Sequence, residues 1–228
     1  MSYKLAWTAI SSLLSQFSRD YGPEVLLQIN IAYFFPSIPV LCLQTAFNDV
    51  MDRRLGLPAA ALTRLAGGLG GLALLTSFFP ILANTHTGLI TTTVFIGMSY
   101  GLAFGTSYQL ASKFTPASTV ALTTGFVSSG PVVLVLDLFL KRGTFYDPQG
   151  LSTLFTWVSM ITCLGLLAAC WVVMSNQTML RLGSHGNQVE LRLPSKGMLG
   201  MASSGTRKHG VRALIVGLGY FYFCIIDI

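Results

Sequence analysis

This sequence predicts an all-α membrane protein, a bundle of several membrane-spanning helices, and three observations predict it. Mean hydropathy is +0.65. Of 228 residues 52% are hydrophobic and only 10% are charged, against about 25% charged in an average soluble domain. The apolar residues fall in runs of about 20, the length a helix needs to cross a hydrocarbon core of about 30 Å. The basic residues gather in short clusters between these runs, as in loops that face one side of a membrane.

Five runs satisfy the length requirement, at about 26–48, 65–83, 88–111, 118–140 and 150–174. Residues 5–14 resemble the end of a helix whose beginning is missing. The stretch 175–210 is polar, basic and rich in Gly and Ser, and reads as a cytoplasmic linker. A weak amphipathic surface helix around Val189–Leu193 is one option within it. Residues 211–228 are apolar enough to open another span, partial or truncated. Residues 1–174 thus form the transmembrane bundle. The N-terminal apolar stretch is too brief for a signal peptide and lacks a small-x-small cleavage site.

Charge assigns the sides. Asp52-Arg53-Arg54, Arg64 and Lys113 fall on one side, together with Arg181, Arg192, Lys196, Arg207, Lys208 and Arg212. The other side has Arg19, Lys141 and Arg142. The positive-inside rule then places a loop at 52–58 and the linker in the cytoplasm, with 15–24, 84–87 and 141–149 outside or in a lumen. The sequon Asn176-Gln177-Thr178 is cytoplasmic in this topology and unmodified. A net charge of +6 spread in this way does not indicate nucleic-acid binding, because no basic stripe forms.

Several spans carry motifs. The third contains Gly97-x-x-x-Gly101-x-x-x-Gly105, three glycines on nearly one helix face, where another backbone can approach closely. The face serves helix packing or borders a substrate path. Gly67, Gly68, Gly70 and Gly71 in the second span read as packing, with Arg64 snorkelling to the surface. Pro36-Ser37-Ile38-Pro39 interrupts the first span, and proline inside a helix removes hydrogen bonds and bends it. With an exposed Ser37 hydroxyl this is either a path-lining helix or a kinked structural one. The fourth span holds Thr123-Thr124-Gly125 and Ser128-Ser129-Gly130-Pro131, suited to close packing or to a polar solute. Asp137, its intramembrane carboxylate, is a candidate for ion coupling, although Lys141 one turn on can pair with it.

No enzyme signature is present. His86, His185 and His209 are scattered through loops, and the sequence has no H-E-x-x-H, nucleophile elbow, Walker motif or dinucleotide fingerprint. No cofactor or metal is expected. Cys42, Cys163, Cys170 and Cys224 lie in apolar segments without metal-ligand spacing and read as buried thiols facing lipid or core.

Ala6-Trp7-Thr8, the run from Phe47 to Gly56, the stretch from Gly101 to Gly130 through Lys113-Phe114-Thr115-Pro116, and the polar linker after Met174 occur in one order and spacing. In this the chain resembles the equilibrative nucleoside transporter family over about residues 5–196. The resemblance implies the N-terminal six-helix half of a major-facilitator-like transporter, in a family of eleven helices grouped six and five. It also implies nucleosides or nucleobases as solutes. By position it makes Trp7 the tryptophan near the nucleobase and puts Ser37 and Val40 at second-helix pocket positions. Gly101 and Gly125 fall at the fourth- and fifth-helix glycines.

The departures are specific. The family's fourth-helix glutamine falls at Gly105, its Gly-Gln-Gly run reads Gly125-Phe126-Val127, and the second helix group is absent. The chain is therefore expected to be incomplete, working with a second copy or a complementary half. The alternatives are a non-transporting assembly partner and a transporter of another small solute. The plasma membrane and an organelle membrane both suit such a protein.

Overall fold

A computed structural model describes residues 2–114, 116–140 and 148–176. In order the elements are α1 (Ser2–Ser12), α2 (Leu14–Tyr21), α3 (Glu24–Phe34), α4 (Ser37–Leu55), α5 (Leu57–Leu82), α6 (His86–Ala111), α7 (Pro116–Val127), α8 (Ser129–Leu140) and α9 (Pro148–Ser175). No strand occurs among the described residues. Among the described residues five stretches are long and apolar enough to cross a membrane: Glu24–Leu55, Leu57–Leu82, His86–Ala111, Ser118–Leu136 and Gly150–Ser175.

The boundaries differ from the sequence expectations in places with clear causes. The expected loop at 15–24 is largely helix α2, which follows α1 after a break at Leu13. Phe17 buries one face of α2 against Phe79, with ring centroids 6.3 Å apart, and this tertiary contact outweighs the polar composition. The expected loop at 52–58 shrinks to Gly56, whose φ of +80° suits a residue without Cβ. The charged run Asp52-Arg53-Arg54 is thus the last turn of α4, where cations complement the helix dipole. Residues from 177 onward, including the linker, the sequon's Gln177 and Thr178, the Val189–Leu193 segment, Cys224 and the 211–228 stretch, lie outside the described residues.

Pro36 and Pro39 make α3 and α4 one kinked unit. Both lack an N–H, so the carbonyls of Ala32 and Phe35 lose their usual donors. The Phe35 carbonyl accepts from the Ile38 N–H at 3.2 Å, and the Ser37 hydroxyl donates to the Phe34 carbonyl at 2.6 Å. The backbone at Phe35 and Pro36 keeps helical angles, so the chain bends without unwinding. At Ser128 the fourth span divides into α7 and α8, three residues before Pro131.

Helix α5 is the axis of the bundle. It packs between α6 and α9 and also touches α4 and α1. Leu65, Leu72 and Phe79 of α5, and Leu89, Ile96 and Ala103 of α6, recur every seventh residue and are all buried. A seven-residue apolar repeat keeps one seam facing the partner helix, as in left-handed helix pairs. Phe79 stacks on Phe155 of α9 at 4.4 Å, and the Ser159 hydroxyl donates to the Ala73 carbonyl at 2.8 Å. The opposite faces carry Leu74, Phe78 and Ile81 of α5 and Leu164, Leu167 and Trp171 of α9, all exposed. So large an apolar surface around the bundle suits hydrocarbon and not water.

The α5–α6 turn is tight. Thr85 caps α6, its hydroxyl accepting from the Gly88 N–H at 3.1 Å. A Cβ at Gly88 would stand 2.1 Å from the Leu82 carbonyl oxygen.

Candidate functional site

The glycine face of α6 meets the kinked α3–α4 unit. A Cβ at Gly97 would lie 2.1 Å from the Tyr33 carbonyl oxygen, one at Gly101 would lie 3.0 Å from Ser37 Cα, and one at Gly105 would lie 2.0 Å from Gln44 Oε1. Each glycine therefore turns a Cα–H toward an opposing group, a weak but recurrent contact between close helices. Backbone and the Gln44 amide fill the space these glycines open. Ser37 is 5% exposed, which corrects the expectation of an exposed hydroxyl. Val40 lies beside this seam on α4, half-buried.

Gln44 of α4 stands against Gly105 of α6. It is 7% exposed, and its Nε2 donates to the Leu102 carbonyl at 3.0 Å and to Thr106 Oγ1 at 2.8 Å. Its Oε1 has no hydrogen-bond partner among the described residues.

Beside this seam runs a stripe of aromatic rings that links four helices. Trp7 of α1 lies on Tyr33 of α3, centroids 4.4 Å apart and planes 32° apart, and meets Phe34 edge-on at 5.0 Å. Tyr33 contacts Tyr100 of α6 at 5.2 Å. Tyr100, Phe104 and Tyr108 follow one another at 5.6 and 4.6 Å, and Phe104 reaches Phe126 of α7 at 6.4 Å. The α6 members recur every fourth residue and so share one face. Lys4 Nζ stands 4.1 Å from the Phe126 ring centroid. Hydroxyls flank the stripe: Thr8 and Ser129 at 3.4 Å, Tyr108 and Thr123 at 3.3 Å. Trp7, Phe34, Tyr100, Phe104 and Tyr108 are half-buried.

Among the residues singled out from sequence, Trp7 joins the aromatic stripe, and Gly125 precedes its last ring on α7. Ser37, Gly101 and Gly105 belong to the glycine seam. Asp137 lies on α8; its side chain and all of Lys141 lie outside the described residues, and so does their expected pairing. Sequence reasoning passed over Tyr33, Tyr100, Phe104, Tyr108, Phe126 and Lys4. The four-residue spacing of aromatics in the third span was the available signal.

A polar cluster closes one end of the bundle. Arg64 is 5% exposed, so the expected snorkelling does not occur. Its Nη2 donates to Asp52 Oδ1 at 2.6 Å, its Nε to the Ala60 carbonyl at 3.1 Å, and its Nη1 to Gln109 Oε1 at 3.2 Å and to Asn48. Acceptors on α4 and α6 hold the guanidinium inside, which fits the rule that a buried charge is paired and hydrogen-bonded. At the same end an open groove of about 500 Å³ runs between α5, α6, α7 and α9, with Ser107, Ser118 and Asn176 among its apolar lining.

Among the described residues the protein is all-helical, with five helices long and apolar enough to cross a membrane and an internal aromatic stripe. No family model, curated protein or solved structure matches the chain.

Proposed function

We propose that this chain is the N-terminal helix group of an equilibrative nucleoside transporter-like protein and takes part in moving nucleosides or nucleobases across a membrane. The observation that carries the reading is the aromatic stripe from Trp7 to Phe126, edged with hydroxyls and with Trp7, Phe34, Tyr100, Phe104 and Tyr108 half-buried. A planar base stacks on such rings for about 1–3 kcal/mol each, whichever base it is. That Trp7, the residue the resemblance assigns to the nucleobase, lies on Tyr33 in this stripe supports the same reading. A second copy or a complementary half covers the face and completes the path. This reading puts the Arg64 end in the cytoplasm and implies the helix order of a major-facilitator-like half.

A second reading, a non-transporting assembly partner in the membrane, has its own observation. Gln44 and backbone close the glycine seam and leave no hollow there for a solute. Uptake of labelled adenosine, uridine and adenine into proteoliposomes separates the two. Transport that Trp7→Ala weakens by about tenfold, within the range expected for one lost stacking contact, supports the first. Uptake and binding both absent from a well-folded, membrane-inserted protein refute it and favour the second.

A further inference from the structure

The aromatic stripe ends on a cation. Lys4 Nζ stands 4.1 Å from the centroid of Phe126, a ring that is itself buried, while Lys4 is half-buried. The ammonium therefore lies against an inner ring of the bundle and not along an outward face, where a snorkelling lysine would lie. The Thr8–Ser129 contact, one turn further along both α1 and α7–α8, fixes the same register. Phe126 is ten residues into α7, so the cation sits about 15 Å along the helix from its first residue.

Nothing among the described residues neutralises this charge. The carboxylate of Asp52 is taken by Arg64, the one ion pair found there. Asp137 lies on α8, eleven residues after Phe126 and beyond the break at Ser128, and its side chain lies outside the described residues. Asp20 and Glu24 lie toward the opposite end of α1–α2 and beyond it. A cation–π contact offsets only part of the cost of holding an ammonium in an apolar bundle, and the ammonium has three donors and no acceptor.

We propose that Lys4 makes this stripe a site for planar aromatic anions, rings that carry an acidic substituent such as a pyrimidine or purine carboxylate or oxyanion. The ring lies at the Phe126 end of the stripe, beside Phe104, with its charged substituent turned to Lys4. The tyrosine and threonine hydroxyls at Tyr108–Thr123 serve the polar ring edge. The inference rests on the base-stacking reading above and adds the sign of the solute's charge.

Orotate and uracil differ only by one carboxylate and make the test direct. Binding of each, radiolabelled, is measured by equilibrium dialysis on the whole chain in nanodiscs, for the wild type, Lys4→Gln and Lys4→Arg. The expected result is orotate bound about tenfold more tightly than uracil, as for a charge-assisted contact. Lys4→Gln lowers orotate affinity to that of uracil, and Lys4→Arg keeps most of the preference. Thermal unfolding of each variant separates loss of the site from loss of the fold. Equal affinity for the two ligands in the wild type, or a preference that survives Lys4→Gln, overturns the inference while leaving base stacking intact. Binding of neither ligand overturns both. Displacement of orotate by inorganic phosphate as effectively as by unlabelled orotate shows a site that reads charge without the ring, and it too overturns the proposal.

Discussion

Gly97→Ala isolates how closely α6 and α3 approach. The new methyl would stand 2.1 Å from the Tyr33 carbonyl oxygen, 2.9 Å from its carbon and 3.1 Å from its Cα. All three are backbone atoms, so no rotamer change makes room. To bring the nearest contact out to 3.4 Å, where ordinary packing begins, the helices must part by 3.4 − 2.1 = 1.3 Å. A gap of 0.5–1 Å already forfeits about a quarter to a half of each dispersion contact, and overpacking of a core costs about 1–3 kcal/mol. Alanine recovers up to about 1 kcal/mol through helix propensity. The net expectation is a loss of about 1–2 kcal/mol, at about 2–4 °C per kcal/mol for a chain of this size. Gly70→Ala is the internal control, because its methyl would meet only Leu166 Cδ2 at 3.9 Å, an ordinary contact. Thermal unfolding of both variants in detergent is the assay. If Gly97→Ala unfolds at or above the wild-type temperature, or if Gly70→Ala loses as much, the close approach of α6 to α3 is refuted.

Arg64→Met leaves the half-buried Asp52 without its cation and is expected to cost about 1–3 kcal/mol, as for a lost hydrogen bond to a charged group; adding Asp52→Leu should restore most of the loss in the same unfolding assay. Gly56→Ala meets no steric contact but must hold φ +80° with ψ +146°, a region essentially reserved for glycine, so a loss of about 1–3 kcal/mol is expected from backbone conformation alone, and Gly56→Asn should lose about as much. Ser159→Ala removes the clasp between α9 and the Ala73 carbonyl and should cost about 0.6 kcal/mol, the average for hydrogen bonds between membrane helices; a loss several times larger would mean that α9 is held mainly by this bond. Gly105→Gln, which places an amide on α6, must displace Gln44 from Leu102 and Thr106; unfolding at the wild-type temperature would show that the Gln44 position is not fixed.

Much of the architecture was legible in the chain. Runs of about 20 apolar residues permit little besides membrane-crossing helices, because backbone groups in hydrocarbon must be satisfied within the segment. The Gly-x-x-x-Gly spacing fixed which face of α6 would meet another backbone, since a residue without Cβ leaves the same gap wherever the helix packs. Tertiary contacts alone decided the partner. Tyr33, Ser37 and Gln44 come to that face from more than fifty residues away in sequence. Helix α2 was not legible because its polar composition hides Phe17, which gains its burial only once Phe79 is beside it. Nor was the fate of Arg64: alone on a helix end it would reach for water, and only the arrival of Asp52 and Gln109 from α4 and α6 makes the interior the better place. The aromatic stripe lay half in view, as the spacing of Tyr100, Phe104 and Tyr108. Which rings from α1, α3 and α7 extend it, and that Lys4 ends it, depends on helices that composition and period do not bring together.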